Sequence, residues 1–212
     1  MMRIFMVLIL LGFSRICLAQ GEDNPFKVVL LKAKKGAVMV FAGKKHSLTL
    51  DIQGDAVKPA GQPNFVLVNE KIVQVSCIPI PGGKDASKCT IDQQQEILNG
   101  YVNYEMDYFK KELKLATGDL KKEWLVLQGR QYLLWYFDVP KQKVKGSGEV
   151  AKQTNFQVYM SAIWFDQILD INNPVLDGKD LSKAKALLIP IARTLKSYEG
   201  ELDIEAFSKK LE

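Results

Sequence analysis

The chain has 212 residues, 47% of them apolar and 25% charged, with a formal net charge of +5. That balance excludes collagen-like, low-complexity and disordered classes, and the length gives one globular domain enough chain to bury a core. There is one histidine, His46, so multi-histidine metal sites and Cys/His zinc ribbons are excluded.

The first nineteen residues read as a secretory leader. Arg3 supplies a positive start, Ile4 to Phe13 is an apolar run, and Ala19 is a suitable last residue before cleavage. The run is shorter than the ~20 apolar residues of a permanent membrane helix. Cys17 follows Ser14, Arg15 and Ile16, and a bulky residue beside it with a nearby arginine does not suit a lipid-attachment site. Cleavage after Ala19 would remove two arginines and leave Gln20 first, with no stable membrane span. Localisation is therefore expected to be secreted or periplasmic. Cys77 and Cys89 remain as an even pair in an oxidising compartment, so a disulfide is expected between them. The stretch between them, IPIPGGKDASK, looks like a loop, and closing it would contribute about 3 kcal/mol.

Further along, the apolar pattern predicts strands at Phe26–Leu31, Val38–Phe41 and His46–Ile52. Gly54 to Asn64 holds two prolines and two glycines and reads as a loop. Strands at Phe65–Val68 and Ile72–Ile78 flank a hairpin turn at Asn69-Glu70-Lys71. A long helix is expected from an Asp92 N-cap to about Leu115, with one broad apolar face. Strands then follow at Glu123–Leu127, Gln131–Val139 and Asn155 to about Ile168. In the last, Phe156, Val158, Met160, Ala162 and Trp164 alternate with Gln157, Tyr159, Ser161, Ile163 and Phe165, so cover on both faces is predicted. Pro140 to Ala151, rich in lysine and glycine, reads as a hairpin loop, and Asn172-Asn173-Pro174 with Asp177-Gly178 as another. A second helix is expected from Asp180 to Tyr198, kinked at Pro190. The organisation is thus a leader (1–19), one α+β domain (20–200) and a short amphipathic tail (201–212), with Ile204, Phe207 and Leu211 on one side of the tail.

The helix DQQQEILNGYVNYEMDYFKKEL, the hairpin LVLQGRQYLLWYFDVP, the strand FQVYMSAIWF and the closing helix KAKALLIPIARTLKSYE come in a telling order. In that order the chain resembles the PsbP-like α/β/α sandwich, in particular bacterial DcrB-like secreted proteins. The resemblance covers about Phe26 to Tyr198 and is one of pattern. It implies an antiparallel β-sheet with one long central helix and a C-terminal helix packed on it. It also implies accessory or assembly roles in the envelope, and no shared catalytic residues.

The chemical motifs are weak. Ser182-Lys183-Ala184-Lys185 matches S-x-x-K, but 25 lysines make a chance match expected, and the companion S-D-N and K-T-G segments are missing. His46 has no Ser-His-Asp ordering around it, and Gly146-Ser147-Gly148 is no nucleophile elbow. Asp166, Asp170, Asn172, Asn173, Asp177 and Asp180 form a run of oxygen ligands, but off the EF-hand spacing. Turn chemistry and helix capping are the plainer explanation of that run. Lysines outnumber arginines 25 to 4. They cluster at Lys32, Lys34 and Lys35, at Lys44 and Lys45, and at Lys141, Lys143 and Lys145, which reads as solvated charge and not as nucleic-acid binding.

One constellation remains. Tyr101, Tyr104, Tyr108, Trp135, Tyr136 and Trp164 bring polar tips into an apolar setting and are the candidate ligand-binding residues. The leading expectation is a non-enzymatic accessory or binding protein of the cell envelope, without cofactor or metal. Its partner would be an envelope protein or a small ligand. The alternative is a carrier of an apolar or aromatic ligand in a Tyr/Trp-lined cleft between the long helix and the sheet. A further alternative is a hydrolase using carboxylates or a Ser–Lys pair.

Overall fold

The computed structural model describes residues 25–140, 154–176 and 178–211. The expected leader, the lysine cluster at 141–145, Gly146-Ser147-Gly148 and Asp177 lie outside the described residues.

Three strands open the chain, β1 (Phe26–Lys32), β2 (Ala37–Gly43) and β3 (His46–Ile52). β2, AVMVFAG, is buried along its whole length because both its faces are covered. Met39 and Phe41 enter the main core, while Val38, Val40 and Ala42 face a smaller cluster on the other side. Next come β4 (Val57–Ala60), β5 (Gln62–Val68) and β6 (Lys71–Pro79). The expected loop at Gly54–Asn64 therefore contains a strand. Pro59 is tolerated because β4 is an outer strand with a register shift between Pro59 and Ala60, and Pro63 falls at the exposed start of β5. β5 and β6 join through Asn69-Glu70, both at positive φ (48° and 67°), as a type I′ hairpin turn requires.

After a 3-10 turn at Ala86–Lys88, α1 runs over Ile91–Lys111. Its N-cap is Thr90, two residues before the expected Asp92. The Thr90 hydroxyl accepts from the Gln93 amide at 3.3 Å, and the Gln93 side chain accepts from the Thr90 amide at 3.1 Å. The helix stops short of Leu115 because Lys114 turns left-handed (φ 51°). Four more strands follow, β7 (Lys121–Leu127), β8 (Arg130–Asp138), β9 (Phe156–Trp164) and β10 (Gln167–Val175). The long strand expected at 155–168 is broken by a tight turn at Phe165-Asp166, with Phe165 at φ 53°. Asn172-Asn173-Pro174 belong to β10 and not to a loop.

The chain ends with α2 (Leu181–Arg193), β11 (Lys196–Glu199) and α3 (Ile204–Lys209). α2 includes Pro190 but ends before Tyr198. Thr194 hydrogen-bonds the backbone of Asp51 and stops the helix there, which hands residues 196–199 to the open edge of β3.

The architecture is α+β, with antiparallel pairing throughout the strand register and helices packed on the sheets. The strands divide into two sheets where one was expected. The order is β1-β2-β3-β11 in the four-stranded sheet and β4-β5-β6-β10-β9-β8-β7 in the seven-stranded one. The small sheet and α2 cover one face of the large sheet, while α1 covers the other. That arrangement explains the two buried faces of β9, and its residues divide between them as the alternation predicts. On the outer face of the small sheet lie Ile204, Phe207 and Leu211, the apolar side of the tail. No helix among the described residues is long and apolar enough to cross a membrane.

The expected Cys77–Cys89 disulfide is not formed, and both cysteines are free thiols. Cys77 points from β6 into the core between the sheets, while Cys89 packs with the α1 cluster on the opposite face of the large sheet. The strand's own alternation sends the two sulfurs to different sides of the sheet.

Candidate functional site

The six candidate aromatic residues do not line one cleft. Trp135 is completely buried under α1, stacked on Tyr159 with ring centroids 3.9 Å apart and edge-on to Tyr101 at 6.3 Å. Tyr108 packs at the rim of the same cluster. Tyr136 and Trp164 lie on the other face of the large sheet, Tyr136 against Phe156 and Trp164 against Phe26, His46 and Phe165. Tyr104 is 68% exposed. Strand alternation separates the two tryptophans, so no ligand could touch both from one side of the sheet.

Neither motif candidate forms a catalytic arrangement. His46 stacks flat on Phe165 at 3.7 Å, with Glu199 Oε2 3.2 Å from its Nδ1. Ser182 is exposed at the start of α2, and Lys185 is held by Glu123 on β7.

A different set is brought together beneath α1. Trp135 Nε1 on β8 donates to Ser161 Oγ on β9 at 2.9 Å, and the Ser161 hydroxyl donates to Asp170 Oδ1 on β10. Asp170 is 6% exposed, and so is Glu105, the one charged residue on the buried face of α1. Burial pushes the Asp170 carboxyl up to about 7, against the opposing pull of the Ser161 hydrogen bond. Burial first, and the charge of Asp170 second, push Glu105 up to about 8. The hydroxyls of Tyr101 and Tyr159 are raised well above their ordinary range, by burial first and then by the same two carboxyls. Among the described residues no Lys, Arg or His acts on either carboxyl. Side-chain oxygens of this kind suit protons or a hard cation.

Sequence reading passed over Glu105 and Ser161 and took Asp170 for turn chemistry. A signal was present. Asp170 and Asn172 occupy the same alternation face of one strand, and Glu105 falls within the apolar stripe of Leu98, Val102 and Phe109.

The outer surface near this cluster has a character of its own. The large apolar side chains exposed among the described residues are Ile91 (58%), Tyr104 (68%), Trp124 (37%) and Val126 (67%). All four sit on α1 and on β7, the outermost strand of the large sheet. Lys122 ties the two elements together by bonding Asn99 at 3.0 Å and Asn103 at 3.4 Å. Val126 lies opposite Gln131, which Gln95 of α1 reaches at 3.0 Å, so Trp124 and Val126 are on the α1 side of β7.

No family model matches the chain, and no curated protein matches it. Among solved structures it is similar to cyanobacterial PsbP (CyanoP) from Synechocystis sp. PCC 6803, with 10% sequence identity and a TM-score of 0.40. The superposition covers 84% of this chain and 96% of that one. So loose a likeness carries neither activity nor ligand, and it says nothing of DcrB-like proteins.

Proposed function

We propose that this is a non-catalytic accessory protein of the cell envelope, secreted or periplasmic, that holds a protein partner against the face made by α1 and β7. The observation that carries this reading is the exposure of Trp124 and Val126 together on the α1 side of the edge strand β7. Scattered exposed apolar residues are ordinary, whereas a group of them on one side marks an interaction surface. β7 also ends its sheet and so offers unpaired backbone groups to an added strand. The leader pattern at 1–19 supports the compartment.

The experiment is site-specific photocrosslinking in the native envelope. A crosslinker at Val126 is expected to give a discrete adduct that is lost in Trp124→Lys. A crosslinker at exposed Lys58 on the opposite outer strand is expected to give none. Equal labelling from both positions would overturn the reading. Fractionation followed by N-terminal sequencing checks the compartment, with Gln20 expected as the first residue. The aromatic-cleft and Ser–Lys readings gain no support, since their residues do not come together, and the paired carboxyls Glu105 and Asp170 are buried away from any substrate.

A further inference from the structure

Glu105 and Asp170 are two carboxyls out of water with no cationic side chain beside them among the described residues. A buried carboxylate needs a counter-charge or a metal. Two neutral oxygens nearby are also without partners. The Tyr159 hydroxyl is buried with no hydrogen bond, and it is close enough for the charges of both carboxyls to act on it. The amide oxygen of Asn172 is likewise buried and unbonded. Each of these two residues is only 3% exposed.

The register explains why these groups gather. Asp170 lies opposite Ser161, and Asn172 lies opposite Tyr159, so four oxygen-bearing side chains occupy adjacent positions on one face of β9 and β10. Glu105 faces them from the buried side of α1. Every donor is an oxygen, and the sulfur of Cys77 is on the far side of the sheet. An all-oxygen set favours hard cations over zinc, copper or iron.

We propose that this patch binds one hard divalent cation, of the calcium or magnesium class, between α1 and the large sheet. Glu105 and Asp170 supply the two negative charges that neutralise it, and Tyr159 and Asn172 supply neutral oxygens. The ion ties the helix to two strands of the sheet, at a place where protons otherwise satisfy the carboxyls.

The test uses the full chain, freed of metal with chelator and dialysed. Calcium and magnesium are titrated separately by calorimetry and by thermal unfolding. One ion per chain is expected, with a rise in Tm for at least one of the two metals. A loss of affinity of tenfold or more is expected in Glu105→Gln. Terbium, a hard-cation probe, is expected to luminesce on excitation of Trp135 in a Trp124→Phe, Trp164→Phe background, and to be displaced by the tighter of the two metals. Tyr159→Phe, which keeps the ring stack, provides a second variant should Asp170→Asn fail to fold. No heat and no Tm change with either metal would overturn the proposal. So would binding that Glu105→Gln and Tyr159→Phe leave unchanged, because the ion would then sit elsewhere.

Discussion

Ser161 donates its hydroxyl proton to Asp170 across two neighbouring strands, beneath α1 with its buried glutamate, Glu105. In the metal-free protein both carboxyls are raised, to about 7 for Asp170 and about 8 for Glu105. The folded state therefore holds protons that the unfolded state has already released between pH 4 and 8. Stability is full at the acid end of that window, falls as pH rises through it, and levels off above about 8. The total change is on the order of several kcal/mol. Thermal unfolding in chelator at pH 5 and at pH 8.5 checks this, with the lower Tm expected at pH 8.5. Glu105→Gln should flatten the dependence, and a profile as steep as that of the unaltered chain would count against the assignment.

The two cysteines should differ in reactivity. In the chain beginning at Gln20, a thiol reagent is expected to label half-buried Cys89 in the native state. Cys77 should react only on unfolding, since burial both shields the thiol and pushes its pKa up. Reductant should leave Tm unchanged. A Tm that drops with reductant would mean that a bond joins the cysteines after all.

Gly36 and Gly61 share the same left-handed φ of 89°, but only Gly36 is crowded. A Cβ there would meet the Ile52 carbonyl oxygen at 2.1 Å, whereas at Gly61 nothing lies within 4 Å. Gly61→Ala should cost about 1 kcal/mol for the backbone alone, and Gly36→Ala clearly more. Urea unfolding midpoints compare the two, and equal losses would show that the turn at Gly36 relaxes without penalty.

Thr90 and Gln93 hold the first turn of α1 reciprocally. Thr90→Ala should lower stability by about 1 kcal/mol. Asp92→Ala, one residue inside the helix, should cost less, and the same chemical-denaturation measurement ranks them.

Much of the fold was legible wherever one residue pattern had one explanation. The strict alternation of Phe156 to Trp164 identified β9 and both of its covered faces. The stripe of Leu98, Val102 and Phe109 is the buried side of α1, whereas Tyr104, on the neighbouring stripe of the expected broad face, is exposed. The failures have physical causes. Lys196–Glu199 continues the helical spacing of α2, and it becomes a strand only because β3 presents an open edge where Thr194 stops the helix. Residues 155–175 contain no glycine at their turn. Phe165 takes a positive φ that aromatic residues seldom adopt, so two strands read as one. The division into two sheets depends on long-range pairing such as β6 with β10, which leaves no local trace. The carboxyl cluster was hidden because glutamate on a helix is ordinarily solvated. Only the placement of Asp170 below it changes that expectation.

β11 is attached by more than its pairing with β3. Gly200 N donates to Lys45 O at 2.7 Å, Leu202 N to Ser47 Oγ at 2.9 Å, and Trp164 Nε1 to Ser197 Oγ at 2.9 Å. Residues 46–49 thus await partners some 150 positions further along the chain. During synthesis the small sheet cannot close until residues 196–202 have emerged. Contacts of such long sequence separation form slowly. A growing chain of this kind keeps that sheet incomplete until residues 196–202 are available. Loss of residues 196–211 would leave β3 with an open edge and strip Val38, Val40 and Ala42 of their cover.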